Sequence, residues 1–385
     1  MSEPLPATPA IPLSRDRIWV DGCFDFTHHG HAGAMLQAKR LGTYLCVGVH
    51  SDAAITHNKG PPVMTLPERM LAVSACRWSD LAVPSAPYVT DPLWLDHFGC
   101  HSVVHGDDVT TDASGEDCYR IVKSMDRFLV VPRTPGISTT DLVGRMLLCT
   151  KTHHIPRGNF KASIGADGLD RLRNYASDSR GTVGAGPPVL LYDSIATTTT
   201  TAEPLIPGIL PTAGKKVIYV DGGFDLFTPG HVEFLRLVRE AQDGDVYLIT
   251  GVHDDADINR HKGLNYPIMS MFERGLCVLQ CKYVDAVVLG APFAADERFL
   301  DEGLKANFGE VEEVWHGPTP LVQEGEVDAY EVVKRRGLYR EVGEHEWAGV
   351  NAREIVGRIL RQRDVYEERQ RKKGVKATVE DTLVN

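Results

Sequence analysis

His28 and His31 stand either side of Gly30 in the run Asp21-Gly22-Cys23-Phe24-Asp25-Phe26-Thr27-His28-His29-Gly30-His31. The run follows an apolar stretch at 18–20 and precedes a helical pattern at 32–40. A strand–turn–helix junction with two imidazoles suits phosphate chemistry. Glycine lets the backbone come close to a ligand, the first helical turn leaves N–H groups unpaired, and the helix dipole favours an anion there. The imidazoles add side-chain donors. A lone histidine near a helix start is more often a cap or a surface residue. The preceding strand and the neighbouring Asp25 favour the functional reading.

Three further groups could share that chemistry. Lys59 lies in the loop-like Asn58-Lys59-Gly60-Pro61-Pro62, where a solvated lysine is the ordinary expectation. Arg133-Thr134-Pro135-Gly136-Ile137-Ser138-Thr139-Thr140 offers a guanidinium that can fork onto phosphate. It runs into a helix start where Ser138 and Asp141 have capping spacing. The same free N–H groups can be capped or bind phosphate. His105-Gly106-Asp107-Asp108 ends a strand pattern, and its carboxylates would equally suit a turn. Glu68-Arg69 and Arg77-Trp78 read as structural, with Trp78 in the core.

The elements that must position these residues alternate. Strand patterns fall at 17–20, 44–49, 80–83, 102–105 and 128–131, and helix patterns at 31–41, 67–77, 91–98, 115–125 and 139–150. Continuous apolar strands separated by helices predict an α/β, Rossmann-like fold, a parallel sheet flanked by helices. Ligands of such sheets sit at the carboxyl ends of the strands. That rule gathers the 21–31 junction, His50, the 105–108 segment and the 133–140 segment along one edge.

The chain then repeats itself. Ile18-Trp19-Val20-Asp21-Gly22-Cys23-Phe24-Asp25 matches Ile218-Tyr219-Val220-Asp221-Gly222-Gly223-Phe224-Asp225. Glu68-Arg69 is echoed by Glu273-Arg274, His105-Gly106 by His316-Gly317, and Val143-Gly144-Arg145 by Val356-Gly357-Arg358. The order holds throughout, so the chain is two copies of one domain and not a short-period solenoid. The organisation expected is a flexible N-terminus at 1–14, a first domain at 15–155, a linker at 156–214, a second domain at 215–365 and a charged tail at 366–385. The linker contains Gly184-Ala185-Gly186-Pro187-Pro188 and a threonine run at 197–201, and is expected to be partly ordered at best. Within it, 170–175 could form one helical turn or two.

Bulk properties fit that plan. The 385 residues suit two domains, and a net charge of −11 leaves nucleic acid without a basic surface to meet. No stretch approaches the roughly 20 apolar residues of a membrane span, and 1–15 has no apolar run that would make a signal peptide. The eight cysteines are scattered, which reads as reduced thiols in a cytoplasmic protein. Cys277 and Cys281, on one helix face, read as packing residues. A homodimer is left open.

The first copy resembles the cytidylyltransferase branch of the HxGH nucleotidyltransferase superfamily. The 21–31 run looks like its signature, and 133–140 is similar to its R-T-x-G-I-S-T-S/T motif. Lys59 resembles its phosphate-binding lysine, 68–78 its E-R-x(7)-R-W helix, which would put Arg77 near a bound base, and 105–108 its H-G-x-D segment. The resemblance extends to the tandem branch that acts on phosphoethanolamine. Phosphocholine enzymes of the family have one such domain followed by a membrane-binding helix, and no long amphipathic lipid-binding stretch is seen here.

The resemblance implies CMP transfer from CTP to phosphoethanolamine, giving CDP-ethanolamine and pyrophosphate on the way to phosphatidylethanolamine. It implies that His28, His31, Lys59 and Arg133 carry the chemistry. Gly22, Cys23, Phe24, Gly30, His105, Gly106, Asp108, Gly136, Ile137, Ser138, Thr139 and Thr140 would contact the nucleotide. Mg²⁺ bridging the phosphates is expected by analogy, and its ligands are left unassigned. A substrate ammonium needs a carboxylate or an aromatic face, for which Asp25, Tyr88 and Trp94 are candidates. Phosphocholine or glycerol 3-phosphate in place of phosphoethanolamine, ATP in place of CTP, and a non-catalytic nucleotide sensor are the alternatives.

The second copy departs from the motifs. Thr228 stands where His28 does, Pro318-Thr319 replaces Asp107-Asp108, and Asn351-Ala352-Arg353-Glu354 aligns with Ser138-Thr139-Thr140-Asp141. Gly223, Phe224, His231, Lys262 and His316 are the residues there that could still contact a nucleotide. The first domain is therefore expected to do the chemistry and the second to serve as scaffold or auxiliary nucleotide binder.

Overall fold

The computed structural model describes residues 3–192, 202–318, 328–368 and 371. The threonine run at 197–201, Thr319 and most of the 366–385 tail lie outside the described residues.

The first domain runs β1 (Ser14–Gly22), α1 (His29–Lys39), β2 (Tyr44–His50), α2 (Asp52–Lys59), α3 (Leu66–Ser74), β3 (Leu81–Ala86), α4 (Pro92–His97), β4 (Cys100–Gly106), α5 (Arg120–Ser124), β5 (Phe128–Val131) and α6 (Thr139–Leu148). Its five strands lie in the order β3-β2-β1-β4-β5, every neighbouring pair parallel. The central strands are buried on both faces, as their unbroken apolar runs require. The order reverses between β1 and β4, which opens a crevice at the carboxyl ends there.

Helix α7 (Phe160–Tyr175) and strands β6 (Val189–Leu191) and β7 (Glu203–Ile206) follow. The second domain then comprises β8 (Lys216–Gly222), α8 (Pro229–Glu240), β9 (Val246–His253), α9 (Asp255–Lys262), α10 (Met271–Leu279), β10 (Ala286–Ala291), α11 (Lys305–Phe308), β11 (Glu313–His316), α12 (Glu331–Arg335), β12 (Tyr339–Glu341) and α13 (Ala352–Arg361). Its sheet order, β12-β11-β8-β9-β10, repeats the first sheet, with β6 and β7 added beyond β10. The predicted α/β class and tandem repeat are both present.

The segment expected to be a linker is more ordered than its composition suggests. β6 pairs parallel to β10, and β7 antiparallel to β6. Val189, Leu190 and Leu191 are all buried. Each such side chain gains about 1.5–3 kcal/mol on burial, against about 1–2 kcal/mol to order its backbone. An apolar triplet beside an open sheet edge therefore outweighs the glycines and prolines before it. α7 is likewise far longer than two turns, because Phe160, Leu172 and Tyr175 seat in the core.

The two domains share one core. A continuous buried cluster runs from Val20, Leu45 and Trp78 through Tyr175 to Ile218, Leu276 and Cys277. At the seam Cys76 faces Cys281 in an antiparallel bridge, flanked by Arg77 N–H to Gln280 O at 2.6 Å and Lys282 N–H to Ala75 O at 2.9 Å. Arg77 also donates to the carbonyls of Leu279, Cys281 and Val284. This corrects the expectation that it lies near a bound base: its carbonyl partners belong to the other domain. Trp78 is core, as expected.

Candidate active site

The turn after β1 is sharp because Phe24 and Phe26 adopt left-handed backbone, with φ of 53° and 63°. Burial of both rings holds the strained turn. It delivers His28 to the N-cap of α1, where Gly30 N–H donates to His28 Nδ1 at 3.1 Å. Nε2 therefore carries the His28 proton. The His28 and His31 rings stack with centroids 3.8 Å apart. A Cβ on Gly30 would lie 2.8 Å from Ile137 and 2.9 Å from the His28 ring, so the motif glycine is required by packing. That contact also ties the 28–31 turn to the 133–140 segment.

His31 is half-buried, and burial pushes its pKa down to about 3, with Lys59, Arg133 and His29 adding to the fall and Asp108 opposing it. It is a neutral imidazole whose neighbours carry the positive charge. Its Nδ1 is buried without a hydrogen-bond partner. Burial likewise lowers His29 to about 4.

Lys59 is exposed and ends helix α2 instead of lying in a loop. The loop beyond it is fixed by Asp25, whose carboxylate accepts from Val63 N–H and Met64 N–H, both at 2.9 Å. Asp25 is thus committed to backbone, which corrects its reading as an ammonium ligand. Arg69 is wholly buried and donates to Met64 O, Cys23 O and His50 O, and to Asp52. It staples the loops at the strand ends, in keeping with a structural role. Cys23, half-buried, packs at the rim of the core cluster around Trp19 and Tyr88.

On the far side of the crevice, Ser138 caps α6 by accepting from Asp141 N–H at 3.1 Å. Gly136 takes a φ of 79° and Thr139 Oγ1 reaches Asp25 O at 3.4 Å. Arg133 is half-exposed, with its guanidinium 3.7 Å from Asp108. His105 at the end of β4 stacks on Tyr119 at 4.7 Å and meets Gly106 O and Thr110. The structure thus brings His28, His31, Lys59, Arg133, His105 and the α6 N-terminus to one edge.

Trp94 does not join them. Its indole is buried against Phe98 and donates to Glu3 O at 3.4 Å. Tyr88 stands closer, buried and 5.0 Å from the His50 ring. Sequence reasoning passed over Asp21. Its buried carboxylate accepts from Trp19 Nε1 at 2.9 Å, Thr90 Oγ1 at 2.8 Å and Tyr119 OH at 2.7 Å. Nearby Asp21 opposes the burial that lowers the His50 pKa. The available signal was an acidic residue inside a buried strand in both copies.

The second domain keeps the frame with different chemistry. Thr228 caps α8, and His231 Nδ1 accepts from Thr228 N–H at 3.0 Å, so that imidazole is turned back onto its own turn. Burial lowers its pKa to about 3, with Lys262 adding to the fall. Lys262 is itself lowered by burial. Gly223 O accepts from Arg274, Phe224 packs on His231, and His316 meets Tyr330 edge to face. The capping turn at α13 survives, since Asn351 accepts from Glu354 N–H at 3.1 Å. What changes there are the hydroxyls, since Ala352 and Arg353 stand where Thr139 and Thr140 do.

A family model described as cytidylyltransferase-like matches residues 19–145 and 219–376. The chain is 43% identical to the ethanolamine-phosphate cytidylyltransferase of Dictyostelium discoideum over 94% of its length and 95% of that protein. It is 40% identical to the mouse (Mus musculus) enzyme of the same name over 94% of this chain and 89% of that one. Similarity to the Homo sapiens choline-phosphate cytidylyltransferase A is 42% but covers only 37% of this chain and 39% of that protein.

Proposed function

The chain belongs to the cytidylyltransferase-like family and, within it, to the ethanolamine-phosphate cytidylyltransferases; from that premise we propose that it transfers CMP from CTP to phosphoethanolamine in its first domain alone. The observation that carries the division is the contrast between the two turns. One presents stacked His28 and His31 beside Lys59 and Arg133, and the other has Thr228 with His231 folded back on it.

The substrate phosphomonoester is largely dianionic near neutral pH, with a second pKa of about 6, so no general base is required. Its oxygen attacks the α-phosphorus of CTP in line. The new P–O bond forms, the bond to the bridging oxygen of the β-phosphate breaks, and pyrophosphate leaves with that electron pair. The protein's work is to align two anions and meet the charge that develops. His28 Nε2–H and neutral His31 donate to phosphate oxygens. Lys59 and Arg133 neutralise charge, and the N-termini of α1 and α6 add their N–H groups. Asp21, to which Tyr119 OH donates, takes the substrate ammonium.

Mg²⁺, when bound, would draw charge from the triphosphate. Among the described residues no group of three His, Cys, Asp or Glu could cage a metal. Its ligands would then be phosphates and water, with the Asp107 and Asp108 carboxylates both beside Arg133, which fits Mg²⁺. Among the described residues no helix is long and apolar enough to cross a membrane. Eight free cysteines suit a reducing compartment, the cytoplasm.

Labelled CTP with phosphoethanolamine, phosphocholine or glycerol 3-phosphate tests the substrate. Preferential labelling of phosphoethanolamine is expected. Preference for phosphocholine would favour the partial likeness to the choline-phosphate enzyme.

A further inference from the structure

Behind the 28–31 turn lies α10 of the second domain. Gln280, its C-terminal cap, is 3% exposed and donates from Nε2 to Thr27 O at 3.1 Å. A carbonyl can only accept, so the amide must present its NH₂ group there, which leaves Oε1 buried without a partner. The thiol of Cys277, one turn earlier, lies against the His29 backbone. From α7, Tyr175 OH donates to His29 O. The backbone on both sides of His28 is therefore held by groups outside the first domain's own sheet.

The frame around this contact is symmetric but its polar decoration is not. Glu68, Arg69 and Cys76 in the first domain correspond to Glu273, Arg274 and Cys281 in the second. By the same register Ala75 corresponds to Gln280, and Ala72 to Cys277. Ala72 and Ala75 offer no side-chain donor, and the second domain's turn has Phe227 and Pro229 where Thr27 and His29 stand. The amide brace exists only behind the turn that kept both histidines. It also leaves a buried acceptor unsatisfied, which costs about 1–3 kcal/mol, so stability alone does not account for it.

We propose that Gln280 is a positioning residue for the reaction, setting His28 through the Thr27 carbonyl, and that the second domain thereby fixes the geometry of a site it does not contain. This rests on the reading that the first domain does the chemistry. A small displacement of a donor aimed at developing charge lowers kcat more than substrate binding.

The test uses the full chain with Gln280→Leu, which fills similar space without a donor, and Gln280→Glu, whose carboxyl can donate only when protonated. Kinetics are taken from pH 6 to pH 9, with thermal unfolding measured alongside. Gln280→Leu is expected to lower kcat about tenfold and leave KM for phosphoethanolamine within about twofold. Burial at this position raises the pKa of the new carboxyl, so Gln280→Glu should approach wild-type kcat at the acid end and fall away as pH rises, opposite in sign to the rise that the substrate's second ionisation gives the wild type. Should Gln280→Leu fail to fold, the Gln280→Glu profile decides alone. Wild-type kcat in Gln280→Leu, or a Gln280→Glu profile parallel to wild type, overturns the inference. A His31→Ala variant measured in parallel separates the two readings. If it turns over normally, the site assignment has failed; if it is inactive while the Gln280 variants are normal, only the positioning role has.

Discussion

Arg145 at the end of α6 grips Glu273 at the start of α10 with two hydrogen bonds, at 2.7 and 2.8 Å, across the seam between the domains. Arg358 on α13 grips Glu68 on α3 in the same way, at 2.8 Å twice. Each glutamate also caps its own helix, through Ser270 N–H and Thr65 N–H. The exchange is reciprocal. The helix that opens with the 138–140 turn in the first domain is anchored to the second.

Burial would raise the Glu273 pKa, but the hydrogen bonds and charge of Arg145 outweigh it and leave the carboxyl below its usual range. Breaking such a pair from one side strands the other charge. Glu273→Gln is expected to destabilise the protein by about 3 kcal/mol in urea unfolding. Glu273→Leu combined with Arg145→Met should recover part of that loss, since an apolar replacement removes both buried charges. Equal destabilisation by the single and double variants would contradict a direct pairing.

Stability should depend on pH through buried histidines. His29, His31 and His231 fall from 6.5 to about 4, 3 and 3 on folding. Above pH 6.5 all three are neutral folded or unfolded. Below it the unfolded chain binds protons that the folded chain refuses, so stability is lost as pH falls toward the folded values. The slope is about 1.4 kcal/mol per pH unit for each histidine. The urea midpoint should therefore be clearly lower at pH 5.5 than at pH 7.5. With CTP bound, phosphate beside His31 raises its pKa and the drop should shrink. An unchanged midpoint between these pH values would count against enclosed, neutral histidines.

Asp21→Asn separates the two substrates. A charge-assisted contact to an ammonium is worth about 1.5–3 kcal/mol, or roughly 10- to 100-fold in affinity. KM for phosphoethanolamine should rise by that order while KM for CTP stays within about twofold. A rise in both, or in neither, would move the ammonium elsewhere.

Much of this was legible in the sequence because it is local. The β1 strand, the turn and α1 announce themselves by apolar run, glycine and cap, and the repeat exposes the missing second histidine at Thr228. Asp25 misled because a carboxylate beside the histidines looks like a ligand, while its backbone partners Val63 and Met64 are loop residues without a signature. Trp94 misled for the same reason, as an aromatic whose indole is turned into the core. β6 was hidden because its strand pairing depends on β10, almost a hundred residues on. Gln280 was invisible, since its partner Thr27 lies 253 residues away in sequence.

The central claim is that one of two similar turns carries the reaction. Steady-state CDP-ethanolamine formation from labelled CTP and phosphoethanolamine, in His31→Ala and His231→Ala variants of the full chain, tests it most directly. His31→Ala is expected to lose about a thousandfold in kcat, in line with removal of a donor to the transition state, while His231→Ala keeps turnover within about threefold. Equal loss in both variants, or turnover that survives His31→Ala, would contradict the assignment of the chemistry to the first domain.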